Sequence, residues 1–316
     1  MRIHELRCMV GLSSGLAIVA LALLLATATG CGGSAATATS GGSTRQATPS
    51  VAVTPQRLAG DDSVAVTKKA IDAVGAGFEA QRLQVAPLYA DAVVYDDYTY
   101  GFHLEGKADV LKELRRSMRQ ADGVRVLAGY ADSGWGVLEH RWDFTKVHDV
   151  SIQPITLFEL SGGKIVHEEW WYQDPVGLPN GTPLQPKPLT AAPGPADTLA
   201  AAAGVALQYA TALQNKDAAA VAALSAPTIA FMDTAASTVG NSPAQVQAHY
   251  ARIFKAPADL AFAHLRYVVG RGWAAVIWTA GSQSYGASGS GVTMLELRSG
   301  KIRRETLYYN GSNVPF

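Results

Sequence analysis

Apolar residues recur at helical spacing from Val64 to Ala76 and again from Leu199 to Leu213, so each stretch is expected to be an amphipathic helix. A short second helix is expected over about Glu79 to Tyr89 and Ala218 to Leu224. A strand follows in each case, Ala92 to Asp96 and Thr228 to Met232, and then a third helix, about Ala108 to Gln120 and Pro243 to Phe254. Strands close the first series around Val124 to Ala131, Val137 to Phe144 and Ile152 to Leu160, with another after the Gly162-Gly163 turn. The order of elements is thus the same twice over.

The residues repeat as well as the pattern. Thr156-Leu-Phe-Glu-Leu-Ser-Gly-Gly-Lys164-Ile-Val-His-Glu168-Glu-Trp-Trp-Tyr172 lies over Thr293-Met-Leu-Glu-Leu-Arg-Ser-Gly-Lys301-Ile-Arg-Arg-Glu305-Thr-Leu-Tyr-Tyr309 at an offset of 137. Leu88 to Asp97 lies over Leu224 to Asp233 at 136, and Trp142 falls on Trp278 at the same 136. Between the copies, seven prolines from Pro175 to Pro195 leave too few backbone donors for a packed element. The expected organisation is a first domain over 63–175, a Pro-rich linker over 176–197 and a second domain over 198–316. Helices followed by a curved antiparallel sheet make an α+β cone, its helices covering one sheet face and a pocket left at the open end.

The first sixty residues read differently. Arg2 and Arg7 precede an apolar run from about Leu16 to Ala26, the charged and apolar regions of a secretory signal over 1–30 and a short one for a membrane span. The run ends Ala28-Thr29-Gly30-Cys31, which resembles the bacterial lipobox, where small residues precede a cysteine that is lipidated on sulfur; that resemblance implies an anchor at Cys31 and a cell-membrane location on the extracytoplasmic face. Lipoboxes usually carry Leu where this chain has Ala28. A plain secretory signal or an uncleaved anchor helix is the alternative. Residues 31–62, rich in Ala, Thr, Ser and Gly, have no period and are expected to be a flexible tether.

Composition narrows the function. Hydrophobic residues make up 48% of the chain, which excludes wholesale disorder. Lys+Arg and Asp+Glu are 26 each, so no global field attracts nucleic acid, and none is expected as a partner. Cys8 and Cys31 are the two cysteines, too few for a disulfide scaffold, a structural zinc site or an iron–sulfur cluster. Neither a metal nor another cofactor is expected. Gly286 to Gly291 lies between strands and is read as a turn, not a phosphate loop.

The run Leu-Tyr-Ala-Asp, a β segment ending in Asp, then Gly-Lys-Ile and a Tyr-rich strand resembles the SnoaL-like family, whose domains have the nuclear-transport-factor-2-like fold. That fold is shared by polyketide cyclases, ketosteroid isomerase, scytalone dehydratase and limonene epoxide hydrolase; it hosts many chemistries and also binders without turnover. The resemblance implies a proton-abstracting base at Asp97 and Asp233 and inward-pointing carboxylates at Glu168 and Glu305. Two carboxylates in an apolar pocket resist double ionisation, so one titrates high, as a general acid or base requires. The resemblance also puts an oxyanion-holding tyrosine at Tyr209, with Ala73 in the other copy and Thr156 and Thr293 in the acid register, so neither copy has the isomerase set.

Strand alternation puts Val93, Tyr95 and Asp97 on one face, and Glu168, Trp170 and Tyr172 on one face of the last strand. Tyr95, His103, Trp142, Trp170 and Tyr172 in the first copy, and Trp278 and Tyr309 in the second, are the residues expected to line a ligand pocket. Against a functional role, Asp97 can accept N–H groups of its own loop, Glu168 can pair with Arg141, and His140 can sit in the core. Trp171 and Tyr308 fall on the opposite face with His167 and Glu169, where the two sheets of one chain are expected to pack as an intrachain pseudo-dimer. Two functions stay open: a surface-tethered module holding a small apolar or aromatic ligand, and an enzyme of isomerase, dehydratase, cyclase or hydrolase type using a pocket carboxylate as general base.

Overall fold

The chain is an α+β protein built on two curved seven-stranded sheets. The structure, a computed structural model, describes residues 54–144, 150–173, 196–255, 257–311, 314 and 316. Cys31, the signal segment, most of the tether and most of the Pro-rich linker lie outside the described residues. Ser50–Phe316 forms one compact unit. Among the described residues no helix is long and apolar enough to cross a membrane.

Each half begins with a capped helix. Ser63 Oγ accepts the Val66 N–H at 3.3 Å to start α1 (Val64–Glu79), and Thr198 Oγ1 accepts the Ala201 N–H at 3.2 Å to start α3 (Leu199–Gln214). The second helical segment of the first half departs from expectation: Glu79 closes α1, Leu83–Leu88 is a 3₁₀ turn, and Tyr89 already belongs to β2 (Tyr89–Asp97). Pro87 inside that segment withholds the N–H an α-helix would need. The rest of the half is β3 (Phe102–Glu105), α2 (Lys107–Gln120), β4 (Gly123–Asp132), β5 (Trp135–Phe144), β6 (Val150–Ile152), β7 (Ile155–Ser161) and β8 (Lys164–Trp171). The strand expected over Ile152 to Leu160 is thus two, broken around Gln153-Pro154. The second half runs α3, α4 (Ala218–Ala223), β9 (Ser225–Asp233), β10 (Thr238–Gly240), α5 (Pro243–Ile253), β11 (Ala261–Gly270), β12 (Trp273–Ser282), β13 (Ala287–Arg298) and β14 (Lys301–Tyr309). Residues 287–291, expected in a turn, pair in β13 instead.

The sheets are ordered β3-β2-β8-β7-β5-β4 and β1-β11-β12-β13-β14-β9-β10, where β1 is the short strand Gln56–Arg57, with β6 against β5. They are not wholly antiparallel. In each, the last strand returns beside the first long one in parallel, β8 with β2 and β14 with β9, and this closes the inner face around the helices.

The repeated Gly-Lys motif has a structural task. Gly162 and Gly163 turn the β7–β8 hairpin at φ 59° and 72°, and Ser299 and Gly300 turn β13–β14 at 53° and 71°, the left-handed values a two-residue hairpin of this hand requires. The Gly163 N–H donates to Asp62 at 2.8 Å, and the Gly300 N–H donates to Asp197 at 3.0 Å, so each turn is tied to the residue just before the capping residue of the first helix of its half. The following lysines, Lys164 and Lys301, donate to the carbonyls of Pro87 and Ala223.

Three apolar clusters result. One fills each half between helices and inner sheet face. The third joins Trp135, Val137, Leu157 and Trp171 of the first half to Trp273, Ile277, Met294 and Tyr308 of the second, across the outer faces of both sheets. Polar pairs enter that seam, built on the buried Glu139, Glu169 and Tyr308: Arg304 with Glu139 and with Glu296 at 2.9 Å, Tyr308 with Glu139, and Arg266 with Glu169 at 2.5 Å. Burial alone would raise the Glu139 pKa, but the Arg304 guanidinium and its hydrogen bonds hold it below the usual carboxylate range. The tether's end also enters the seam. β1 (Gln56–Arg57), inside the segment expected to be flexible, pairs in parallel with Arg266–Tyr267, and the Gly60 N–H then donates to Ser133 of the first half at 3.0 Å.

Candidate functional site

Both aspartates read as bases hold their own loops. Asp97 Oδ1 accepts the N–H groups of Thr99 and Tyr100 at 2.9 and 3.1 Å, and its Oδ2 accepts the Tyr172 hydroxyl at 2.8 Å. Asp233 repeats this with Ala235, Ala236 and Tyr309 at 3.0, 2.8 and 2.9 Å. These are Asx turns at the ends of equivalent strands. Burial pushes Asp97 up to about 6 against the lowering effect of these bonds. Tyr172 and Tyr309, expected as ligand contacts, are thereby committed to the aspartates.

The two glutamates are the less satisfied groups. Glu168 lies on the inner face beside Tyr95, fully buried, and its Oε1 accepts the Trp170 Nε1–H at 2.6 Å. The expected alternative partner, Arg141, is elsewhere: it donates to Asp143 at 2.7 Å and Ser151 at 3.1 Å. Glu168 Oε2 has no hydrogen-bond partner, and the buried Tyr89 hydroxyl approaches the carboxyl without completing a hydrogen bond of ordinary geometry. Burial pushes Glu168 up to about 7, against the Trp170 and Tyr89 contacts. Glu305 stands at the same place in the second half. Its Oε1 accepts the hydroxyls of Tyr209 at 2.7 Å and Tyr250 at 2.5 Å, its Oε2 has no partner, and burial again pushes it up to about 7. Tyr209, placed in the oxyanion register from the sequence, is therefore brought together with Glu305, and its hydroxyl oxygen lies against that of Tyr250.

Around Glu168 the interior is aromatic. Phe78, Trp142, Trp170 and His140 have ring centroids 4.9 to 6.1 Å apart, and Tyr95 stands 6.3 Å from Trp170. Trp142 Nε1–H donates to His140 Nδ1 at 2.6 Å, so His140 Nε2 carries the proton and donates to Thr156 Oγ1 at 2.7 Å. Burial lowers its pKa to about 3, which keeps the ring neutral. In the second half Trp278, among Phe262, Tyr309 and Phe316, donates to Thr293 at 3.1 Å. The acid register thus holds a threonine that accepts from a ring N–H in both copies. His103 is a correction: it pairs across from Asp96, on the outer face, is exposed, and bonds Asp96 at 2.8 Å and Glu105 at 3.2 Å. It lines neither interior, because Leu104 is the residue of that strand that takes the inner register beside Tyr95.

Three residues escaped sequence reasoning. Tyr89 was expected at a helix end, and its place opens only because Pro87 ends the helical turn early. His249 and Tyr250 lie on the buried face of α5 with Val246 and Ile253, a spacing legible in the sequence. His249 Nε2 is 2.8 Å from Asp233 Oδ2. Among the described residues no cluster of three or more His, Cys, Asp or Glu side chains is arranged to hold a metal ion.

Residues 206–305 match the model of the SnoaL-like domain family. No curated protein matches the chain. Among solved structures, the chain is similar to an NTF-2 like protein of unknown function from Burkholderia xenovorans LB400 (19% identity over 36% of this chain and 88% of that one, TM-score 0.32). It is also similar to an NTF2-like protein of unknown function from Mesorhizobium loti (14%, 38% and 99%, 0.32) and to a LEH-like epoxide hydrolase of M. tuberculosis (16%, 35% and 84%, 0.30). With the family match at Ala206 to Glu305 and the architecture above, the second half of this two-sheet α+β chain carries a SnoaL-like domain.

Proposed function

We propose that the chain is a cell-surface lipoprotein, anchored through Cys31, whose cones hold a small apolar or aromatic ligand bearing one hydrogen-bond donor. The observation that carries the reading is the repeated, fully buried glutamate with one oxygen lacking a partner, Glu168 among indole and phenyl rings and Glu305 beneath Tyr209 and Tyr250. Buried polar atoms rarely stay unpaired, and a ligand N–H or O–H would satisfy this one. The aromatic lining would supply the apolar contact and exclude ions.

A second reading rests on the same residues. A carboxyl near 7 is poised to give or take a proton at neutral pH, so Glu168 and Glu305, with Asp97 and Asp233 in the neighbouring strands, would suit isomerase, dehydratase or hydrolase chemistry. The full chain in detergent, screened by calorimetry against planar phenols and hydroxy-ketones and for turnover of epoxides and enones, separates the two. Saturable binding weakened by Glu168→Gln without turnover supports the module; turnover lost in Glu168→Gln supports the enzyme. Absence of both, with the protein folded, sinks each. For the anchor, Cys31→Ser should move the protein from the membrane to the soluble fraction; continued membrane retention would refute it.

A further inference from the structure

Asp62 and Asp197 close their halves in the same way. Each accepts an N–H of the hairpin turn before the last strand, and Ser63 and Thr198 then cap α1 and α3. Upstream of these equivalent aspartates the copies part. Ala196 bridges to Arg298, inside its own half. Residues 56–60 instead leave the first half and cross the seam. Gln56 and Arg57 pair in parallel with Arg266 and Tyr267 on the edge of β11, and the Leu58 N–H donates to the Tyr267 carbonyl at 2.8 Å. β4, the strand in the same place in the first half, ends its sheet among the described residues. The added strand is therefore no part of the duplicated unit.

The segment holds both halves at once. The Leu58 side chain packs on the apolar cluster that joins the two sheets. Arg57 reaches back to the buried Asp132 carboxylate of β4 at 3.4 Å, and the Gly60 N–H donates to the Ser133 carbonyl at 3.0 Å. Backbone lies on backbone there: a Cβ on Gly60 would stand 2.7 Å from the Gly134 Cα, so any side chain forces the two segments apart. Within five residues the chain is bonded to the second half and then to the first, and it continues covalently into α1. The halves are already joined through the Pro-rich linker, and a second link raises the effective concentration of each at the other. We propose that residues 56–60 are a clasp that locks the two halves together and delivers any hold on the chain upstream to the seam, not to α1 alone. The clasp needs neither a ligand nor a lipid.

The test uses the full chain in detergent and two readouts. Trypsin cuts after Arg57, and the rate, referred to that of the same chain in urea, reports how often the clasp is open. Gly60→Val and Leu58→Ala should each raise it about tenfold, whereas Gln56→Ala, exposed and held through its backbone, should leave it unchanged. Hydrogen exchange then reads the lock. In both clasp variants it should quicken about tenfold in β5 and β12, whose Val137 and Ile277 lie in the seam, and stay as it was in α3, which packs inside the second half. Circular dichroism checks folding, and Leu58→Ala decides alone if Gly60→Val does not fold. The proposal is overturned if Arg57 is cut as fast in the wild type as in the clasp variants, or if the clasp opens and exchange in β5 and β12 does not change.

Discussion

Identical residues in the two copies do not carry identical duties. Asp97 and Asp233 keep the same three donors, two loop N–H groups and a tyrosine hydroxyl on one carboxylate. Glu168 and Glu305 keep place and burial but change partners, from an indole N–H to two phenols. The polar groups around the glutamate have moved from sheet to helix: His140 falls on Val276, while Tyr250 falls on Leu114 at the same offset of 136. The cost of burying Glu168 ionised is testable. A shift from 4.5 to about 7 at 1.36 kcal/mol per unit is roughly 3 kcal/mol against the folded state at high pH. Glu168→Gln is therefore expected to stabilise the protein at pH 8 by about 1–3 kcal/mol and to change little at pH 4.5, read by chemical denaturation at both. An equal effect at the two pH values would mean that the carboxyl is not ionising in a buried site.

At the scale of elements, the seam is where charge and apolar packing meet. Tyr98 stacks on Trp171 at 4.8 Å and 7°, and Trp171 Nε1–H reaches Ser290 of β13 at 3.0 Å. Arg304 from β14 enters against Glu139 of β5, where the carboxylate is fully buried and the guanidinium mostly so. Removing one member of such a pair leaves the other charge unpaired in a low-dielectric site, so Arg304→Met is expected to cost about 3–5 kcal/mol. Adding Glu139→Gln to Arg304→Met should return a large part of that loss, because the orphaned charge is gone. Denaturant midpoints of the two variants decide it; a double variant no better than the single one would place the loss in packing, not in charge.

For the whole molecule, several buried groups act together on pH dependence. Glu168 and Glu305 near 7 and Asp97 near 6 all bind protons more tightly folded than unfolded, so each loses stability as pH rises from its unfolded value through its folded one. His103, raised by Asp96 and then Glu105, has the same sign: its contribution is present below its unfolded value and lost above its folded one. His140 works the other way. Lowered from 6.5 to about 3, it loses stability as pH falls through that window, and Glu139 and Asp143, both lowered, join it at acid pH. Between 6.5 and 4.5 the groups gained outnumber the one lost; from 4.5 to 3.8 only Asp97 still gains, against the losses of His140, Glu139 and Asp143, and below 3.8 only losses remain. Thermal unfolding of the full chain is expected to peak near pH 4.5–5; a maximum at pH 7–8 would show that these carboxyls are not buried as described.

Sequence alone determined the duplication, the α+β order of each half, the inner face of the first and last long strands, and the burial of Trp171 and Tyr308 on the other face. These are properties of period and local pattern, and an offset of 136 or 137 carries them without knowledge of contacts. It could not decide which carboxylate is satisfied. That depends on loop N–H groups folding back on Asp97 and on Tyr172 arriving from a strand 75 residues away. Nor could it reveal Tyr89, whose register hangs on one proline, or the placing of His103 on the outer face of an edge strand. The charge pairs of the seam are wholly a tertiary fact, since Glu139 and Arg304 share no local pattern and meet only when two complete sheets are pressed together.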